Sequence, residues 1–157
     1  MGLAFFQWCE GTFIGETVRT SIWLFPIIEA FHLLGLSLLG GAVLVLDLRL
    51  VGVMLGSEPI AELARSTRRW VVAGVTAMVL TGVPLFLSEA VKCYYNPSFW
   101  VKMATLPVAI GFTIAVRRWI AKRPPAATSP QTRLAGAISM LLWFTVAAAG
   151  RWIGFSS

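Results

Sequence analysis

The sequence predicts an all-α membrane protein, a polytopic four-helix bundle with an N-terminal interfacial segment and a short cytoplasmic surface helix. Three observations carry that class. Of 157 residues, 57% are hydrophobic and only 13% charged, where soluble domains average roughly one half and one quarter. Mean hydropathy is +0.78, more apolar surface than a chain of this length can hide in its own core, so the excess faces lipid or a partner. Four uninterrupted apolar runs each reach the roughly 20 residues that a helix needs to cross a bilayer. Alternation is absent and the runs are too long for barrel strands. A single integral membrane domain over residues 1–157 is expected.

The elements follow in chain order. Residues Leu3 to Val18 carry Leu3, Phe5, Phe6, Trp8, Phe13 and Ile14 and read as an interfacial helix or hairpin. Residues 1–19 lack a basic leading stretch, and Glu10 and Glu16 break their apolar character. No cleavable signal peptide is therefore expected, and the first span directs insertion. That span covers 21–46, with Glu29 and His32 as its only ionisable residues, and helix can continue through Asp47 and Arg49. Ser57-Glu58-Pro59 opens a short helix through Glu62 and Arg65 to Arg69, expected to lie on the membrane surface. The second span is 70–90, the third 99–121 and the fourth 134–155. The segment from Arg123 to Thr132, rich in proline, cannot continue the third helix. Pro84 and Pro107 are candidate kinks. Ser37 with Gly41, and Ala73 with Ala77, have the spacing of close helix contacts.

Charge gives the orientation. The net charge of +6 and pI of about 10.2 sit at the ends of apolar runs, a topology signal rather than a nucleic-acid footprint. Arg49, Arg65, Arg68, Arg69, Arg117, Arg118, Lys122, Arg123 and Arg133 flank the first and third connections, nine on one side. Arg19, Lys92, Lys102 and Arg151 make four on the other. The positive-inside rule makes the nine cytoplasmic and puts both termini outside. Trp8, Trp23, Tyr94, Tyr95, Trp100 and Trp152 then form an outer aromatic belt, Trp70 and Trp119 mark the inner boundary, and Trp143 is a packing residue inside the fourth span.

Ionisable groups inside a bilayer face a protein interior and have partners. Glu29 and His32 lie three residues apart on one face of the first helix. Counting from Ile22, His32 is about 15 Å below the outer end. Glu89, Lys102 and Arg151 bring one such group from each remaining helix to a similar depth, although each is also near enough the interface to snorkel or form an ordinary ion pair. Three roles stand open for His32: cofactor or metal ligand, proton relay, or hydrogen-bonded partner of Glu29 or a helix carbonyl. One histidine in the chain argues against a carboxylate-bridged di-metal site. A b-type haem fits better, with His32 as axial ligand and Lys102 and Arg151 on the propionates. No second ligand is obvious, Met78 lying at roughly the right depth and Met103 shallower, so five-coordinate haem or a site shared between subunits stays open. Copper held by His32 with Glu29 or a sulfur donor is a further option.

Cys9 and Cys93 both fall outside and are candidates for a disulfide tying the N-terminal segment over the bundle. At the opposite end Asp47 is expected to pair with an arginine, Arg49 or one of Arg117 and Arg118, pinning the bundle.

The run Phe25-Pro26-Ile27-Ile28-Glu29-Ala30-Phe31-His32-Leu33-Leu34-Gly35, followed by Asp47-Leu48-Arg49-Leu50-Val51-Gly52, resembles an uncharacterised family of small bacterial four-helix membrane proteins. Phe99-Trp100-Val101-Lys102 and Gly150-Arg151 are similar to its later motifs. The resemblance implies a bacterial inner-membrane protein in which Glu29, His32, Asp47, Arg49, Lys102 and Arg151 occupy motif positions. A looser likeness, in helix count and a buried histidine, is to four-helix b-type cytochromes and copper-resistance membrane proteins. The functional expectation is a membrane haem- or metal-binding protein with its cofactor at His32, involved in redox or electron transfer. The alternatives are a proton- or ion-coupled transporter or channel using Glu29, His32 and Glu89, and an accessory subunit without cofactor. Lipid and a second copy or a membrane complex are the expected partners. No nucleophile–base pair or nucleotide loop supports a hydrolase or kinase, and whether the chain is an enzyme stays open.

Overall fold

The computed structural model describes residues 2–122 and 129–155. Arg123 and most of the proline-rich connection after it lie outside the described residues. Seven helices form in order: α1 (Gly2–Glu10), α2 (Phe13–Thr20), α3 (Leu24–Val51), α4 (Ile60–Ser88), α5 (Ala90–Tyr95), α6 (Pro97–Lys122) and α7 (Pro130–Ile153). Of these α3, α4, α6 and α7 are long and apolar enough to cross a membrane. The protein is therefore an all-α, multi-span bundle, as its hydropathy requires.

Local chemistry sets the boundaries. Thr12 accepts a hydrogen bond from the Gly15 N–H and starts α2, separating two helices where the sequence allowed a helix or a hairpin. Helix α3 ends at Gly52, whose φ of 87° is open to glycine at little cost. Its N–H and that of Val53 cap the carbonyls of Leu48 and Arg49, so the last turn is closed. Pro59 precedes α4 and Pro130 opens α7, where a missing N–H costs nothing. The expected short surface helix is not a separate element. Its residues form the first turns of α4, because nothing between Arg69 and Trp70 interrupts the hydrogen-bond ladder. Pro84 and Pro107 lie within α4 and α6, which both continue through them.

Helix α3 packs along α4 and α7, and α6 packs along α7, while α4 and α6 touch less. Three core layers run along the bundle. One end holds Phe6, Cys9, Ala90, Cys93 and Phe99, where α1, α2 and α5 cap the spans. The middle holds Leu39, Val43, Ala109, Trp143 and Val146. The basic end holds Leu46, Leu50, Ile60, Ala64, Val116 and Ile120. Within its most apolar stretch α3 is 39% buried but α4 only 11%, so α3 is the central helix and α4 faces outward.

The small-residue contacts differ from those expected. A Cβ on Gly41 would meet nothing within 4 Å, and Ser37 and Ala73 are exposed. The close approach of α3 to α4 uses Gly74, whose Cβ would fall 2.7 Å from the Leu39 Cβ, and Gly35, whose Cβ would fall 3.1 Å from that of Ala77. In helices apolar all round, spacing alone does not tell which small residue turns inward.

At the capped end one carboxylate joins three helices. Glu10 Oε1 accepts from Arg19 Nη1 at 2.6 Å, and its Oε2 accepts from the Val91 N–H at 2.8 Å. That second bond satisfies a donor in the first turn of α5.

Candidate functional site

Two polar layers lie between the three apolar ones. The layer beneath the cap draws on all four spans. His32 of α3 sits about 12 Å along the helix from Leu24. Its Nδ1 is 2.8 Å from Thr81 Oγ1 of α4. The Thr81 hydroxyl proton is already committed, because it donates to the Ala77 carbonyl at 2.6 Å. Thr81 therefore accepts, His32 Nδ1 carries the proton and donates, and Nε2 keeps its lone pair. Gly82 completes the cradle: a Cβ there would stand 3.2 Å from His32 Cε1.

Lys102 enters the same layer from α6. Its stem runs along α7 at Gly150, where a Cβ would lie 3.5 Å from Nζ and 3.7 Å from Cδ and Cε. The ammonium interacts electrostatically with His32 and Cys93. No carboxylate lies within 4 Å of it, since the ion pairs among the described residues are Arg19–Glu10 and Lys92–Glu89. Glu29, half-buried one turn nearer the cap, likewise has no partner in that set.

The remaining expected members fall elsewhere. Glu89 stands 3.6 Å from Lys92 Nζ, both 37% exposed, an ordinary surface pair. Arg151 is exposed and lies over the Phe155 ring at 4.4 Å. The second and fourth spans thus contribute Thr81 and Gly150 in place of Glu89 and Arg151. Met78 packs into the middle apolar layer. Helices α3 and α4 are in van der Waals contact at Gly35 and Ala77 and again at His32 and Gly82. No macrocycle fits between them, so His32 and Met78 are not an axial pair across one. Among the described residues no group of three or more His, Cys, Asp or Glu side chains could hold a metal ion.

The candidate disulfide, one of two states open to Cys9 and Cys93, is not formed. Cys9 and Cys93 are both free, buried thiols within one apolar cluster. Burial, reinforced by the Glu89 carboxylate, pushes the Cys93 thiol up to about 11, with Lys102 and Lys92 opposing.

The second layer lies toward the basic end, and here the pairing also differs. Asp47 is 2% exposed. Arg49 turns away from it, donating from Nε to the Glu58 carbonyl at 2.8 Å and from Nη2 to that of Gly56 at 3.1 Å. Residues two apart on a helix do not face each other, so Arg49 braces the connection after α3 and makes no ion pair with Asp47. The charge opposite Asp47 is Arg117 of α6, which is itself held by the Ala64 carbonyl at 2.6 Å and Thr67 Oγ1 at 3.1 Å.

A family model described as "Family of unknown function (DUF6644)" matches residues 5–156. The chain belongs to that family. Its match runs from α1 to the end of α7, so the N-terminal cap and both polar layers lie within it. No curated protein and no solved structure matches the chain.

Proposed function

We propose that the chain binds an anionic, amphipathic cofactor beneath its cap, with b-type haem the group that would use both His32 and Lys102. One observation carries this reading: a histidine with a fixed tautomer and a free Nε2 lone pair shares its layer with an ammonium that has no carboxylate partner among the described residues. A ring nitrogen tied back through Nδ1–H is how a protein orients a metal-ligating imidazole. An uncompensated ammonium in an apolar surround favours a negatively charged group. A propionate-bearing cofactor would answer both: His32 Nε2 would ligate its iron and Lys102 would offset a propionate. A bare copper ion is less well served, because only Glu29 accompanies His32 and Lys102 repels a cation. The distribution of Lys and Arg supports placing the capped end outside a bacterial inner membrane.

The deciding experiment is an absorption spectrum of detergent-purified protein, oxidised and reduced, with metal analysis of the same sample. The expected result is one haem per chain, a Soret band absent in His32→Ala and weaker haem retention in Lys102→Met. Folded protein that is colourless, metal-free and unable to take up added haem overturns the proposal. A second reading, a proton path, is favoured by Glu29, a half-buried carboxylate one turn from His32 with no ion-pair partner among the described residues. Proton flux into liposomes that falls in Glu29→Gln while the spectrum stays featureless would select it.

A further inference from the structure

The Asp47 layer holds a second site, independent of the cofactor reading. Three helices meet there, α3 through Asp47, α6 through Thr113 and Arg117, and α7 through Ser139, around a cavity of about 10 Å³ in which the centre of a water-sized sphere can move. Val43, Leu46 and Val116 close the remaining walls. Two atoms at this site are buried without a protein hydrogen-bond partner, Asp47 Oδ2 and Arg117 Nε. One is an acceptor and the other a donor. No nitrogen of Arg117 comes within 4 Å of an Asp47 oxygen, since this pair is not among the ion pairs of the described residues. The two charges therefore attract across a gap.

We infer that one water molecule occupies this gap and bridges Asp47 Oδ2 to Arg117 Nε. The size fits, because about 10–15 Å³ of such space holds a single water. The chemistry is more selective than the size. An occupant must accept a hydrogen bond from Nε–H and offer a proton to the carboxylate oxygen. A metal cation cannot accept, and an anion would face the carboxylate. Water does both, and the Ser139 hydroxyl, which also faces Asp47, offers a further partner. Thr113 Oγ1 already accepts from Trp143 Nε1 at 2.9 Å, which leaves its own proton free to donate. The pair is thus a hydrated joint between three spans rather than a dry salt bridge.

Water-edited solid-state NMR of the full chain in bilayers, labelled with ¹⁵N-arginine, tests this. Arg117 Nε is assigned by its loss in Arg117→Lys, or by correlation to labelled neighbours should that variant not fold. In the wild type Arg117 Nε should receive magnetisation from water at short mixing times. Ser139→Val fills the cavity and should abolish the transfer while the helix signals persist, whereas Ser139→Ala should retain it. No transfer to a visible Arg117 Nε in the wild type, or transfer undiminished in a folded Ser139→Val, overturns the inference.

Discussion

Gly136 of α7 lies directly against the Asp47 carbonyl of α3: a Cβ there would stand 2.8 Å from that oxygen and 2.9 Å from the Leu50 Cβ. Backbone cannot yield as a flexible side chain does, so α3 and α7 would have to part. Gly136→Ala and Gly74→Ala should each destabilise the bundle by about 1–3 kcal/mol, the usual cost of overpacking. Gly41→Ala, in open space, should be silent or slightly stabilising. Thermal unfolding in detergent separates the three.

Thr81→Val keeps the shape of the side chain and removes the acceptor for His32 Nδ1–H. Stability should fall by about 1 kcal/mol. The imidazole ¹⁵N shifts should change from a pure Nδ1–H form to a mixture of tautomers. A wild-type spectrum with the proton on Nε2 would contradict donation from His32 Nδ1–H to Thr81.

Asp47 and Arg117 should show strong coupling. Removing either alone leaves a buried charge without its partner, at about 3–5 kcal/mol. The double replacement Asp47→Leu with Arg117→Met should cost clearly less than the sum. Additive losses in a double-mutant cycle would show that the two groups do not interact.

Cys93 should make stability depend on alkaline pH. Its thiol ionises near 9.0 in the unfolded chain and only at about 11 when folded. The folded state thus holds the proton longer, and its contribution is complete below 9.0. That contribution is lost as pH rises through about 11. Melting temperatures of wild type and Cys93→Ala, compared across that window, should converge at the alkaline end. At neutral pH both cysteines should resist maleimide until the chain is unfolded, and then react fully without reductant.

Much of the architecture was legible because hydropathy is read in long windows. Four spans, the amphipathic N-terminal residues and the buried Trp143 follow from composition and aromatic placement. The contents of the polar layers did not follow as well. Glu89 lies eight positions beyond Thr81, about 12 Å along the helix, and belongs to the capped end, where it meets Lys92, while Arg151 follows Gly150 but turns outward over Phe155. Thr81 gave no warning, since a threonine within an apolar helix commonly bonds its own backbone. Thr81 does so, and receives His32 as well. Gly82 and Gly150 contribute only the absence of a Cβ, which no motif marks. For Asp47, helical geometry alone argued against Arg49, but the choice of Arg117 required knowing that α3, α6 and α7 line one small cavity.

The bond from Val91 to Glu10 has a consequence in time. The two groups are separated by 81 positions, so the carboxylate leaves the ribosome well before the amide that it is to hold. Helices α3 and α4 both lie between the two partners in the chain. This bond can form only after α5 has followed them, so the cap ties the start of the described chain to residues beyond its first two long helices.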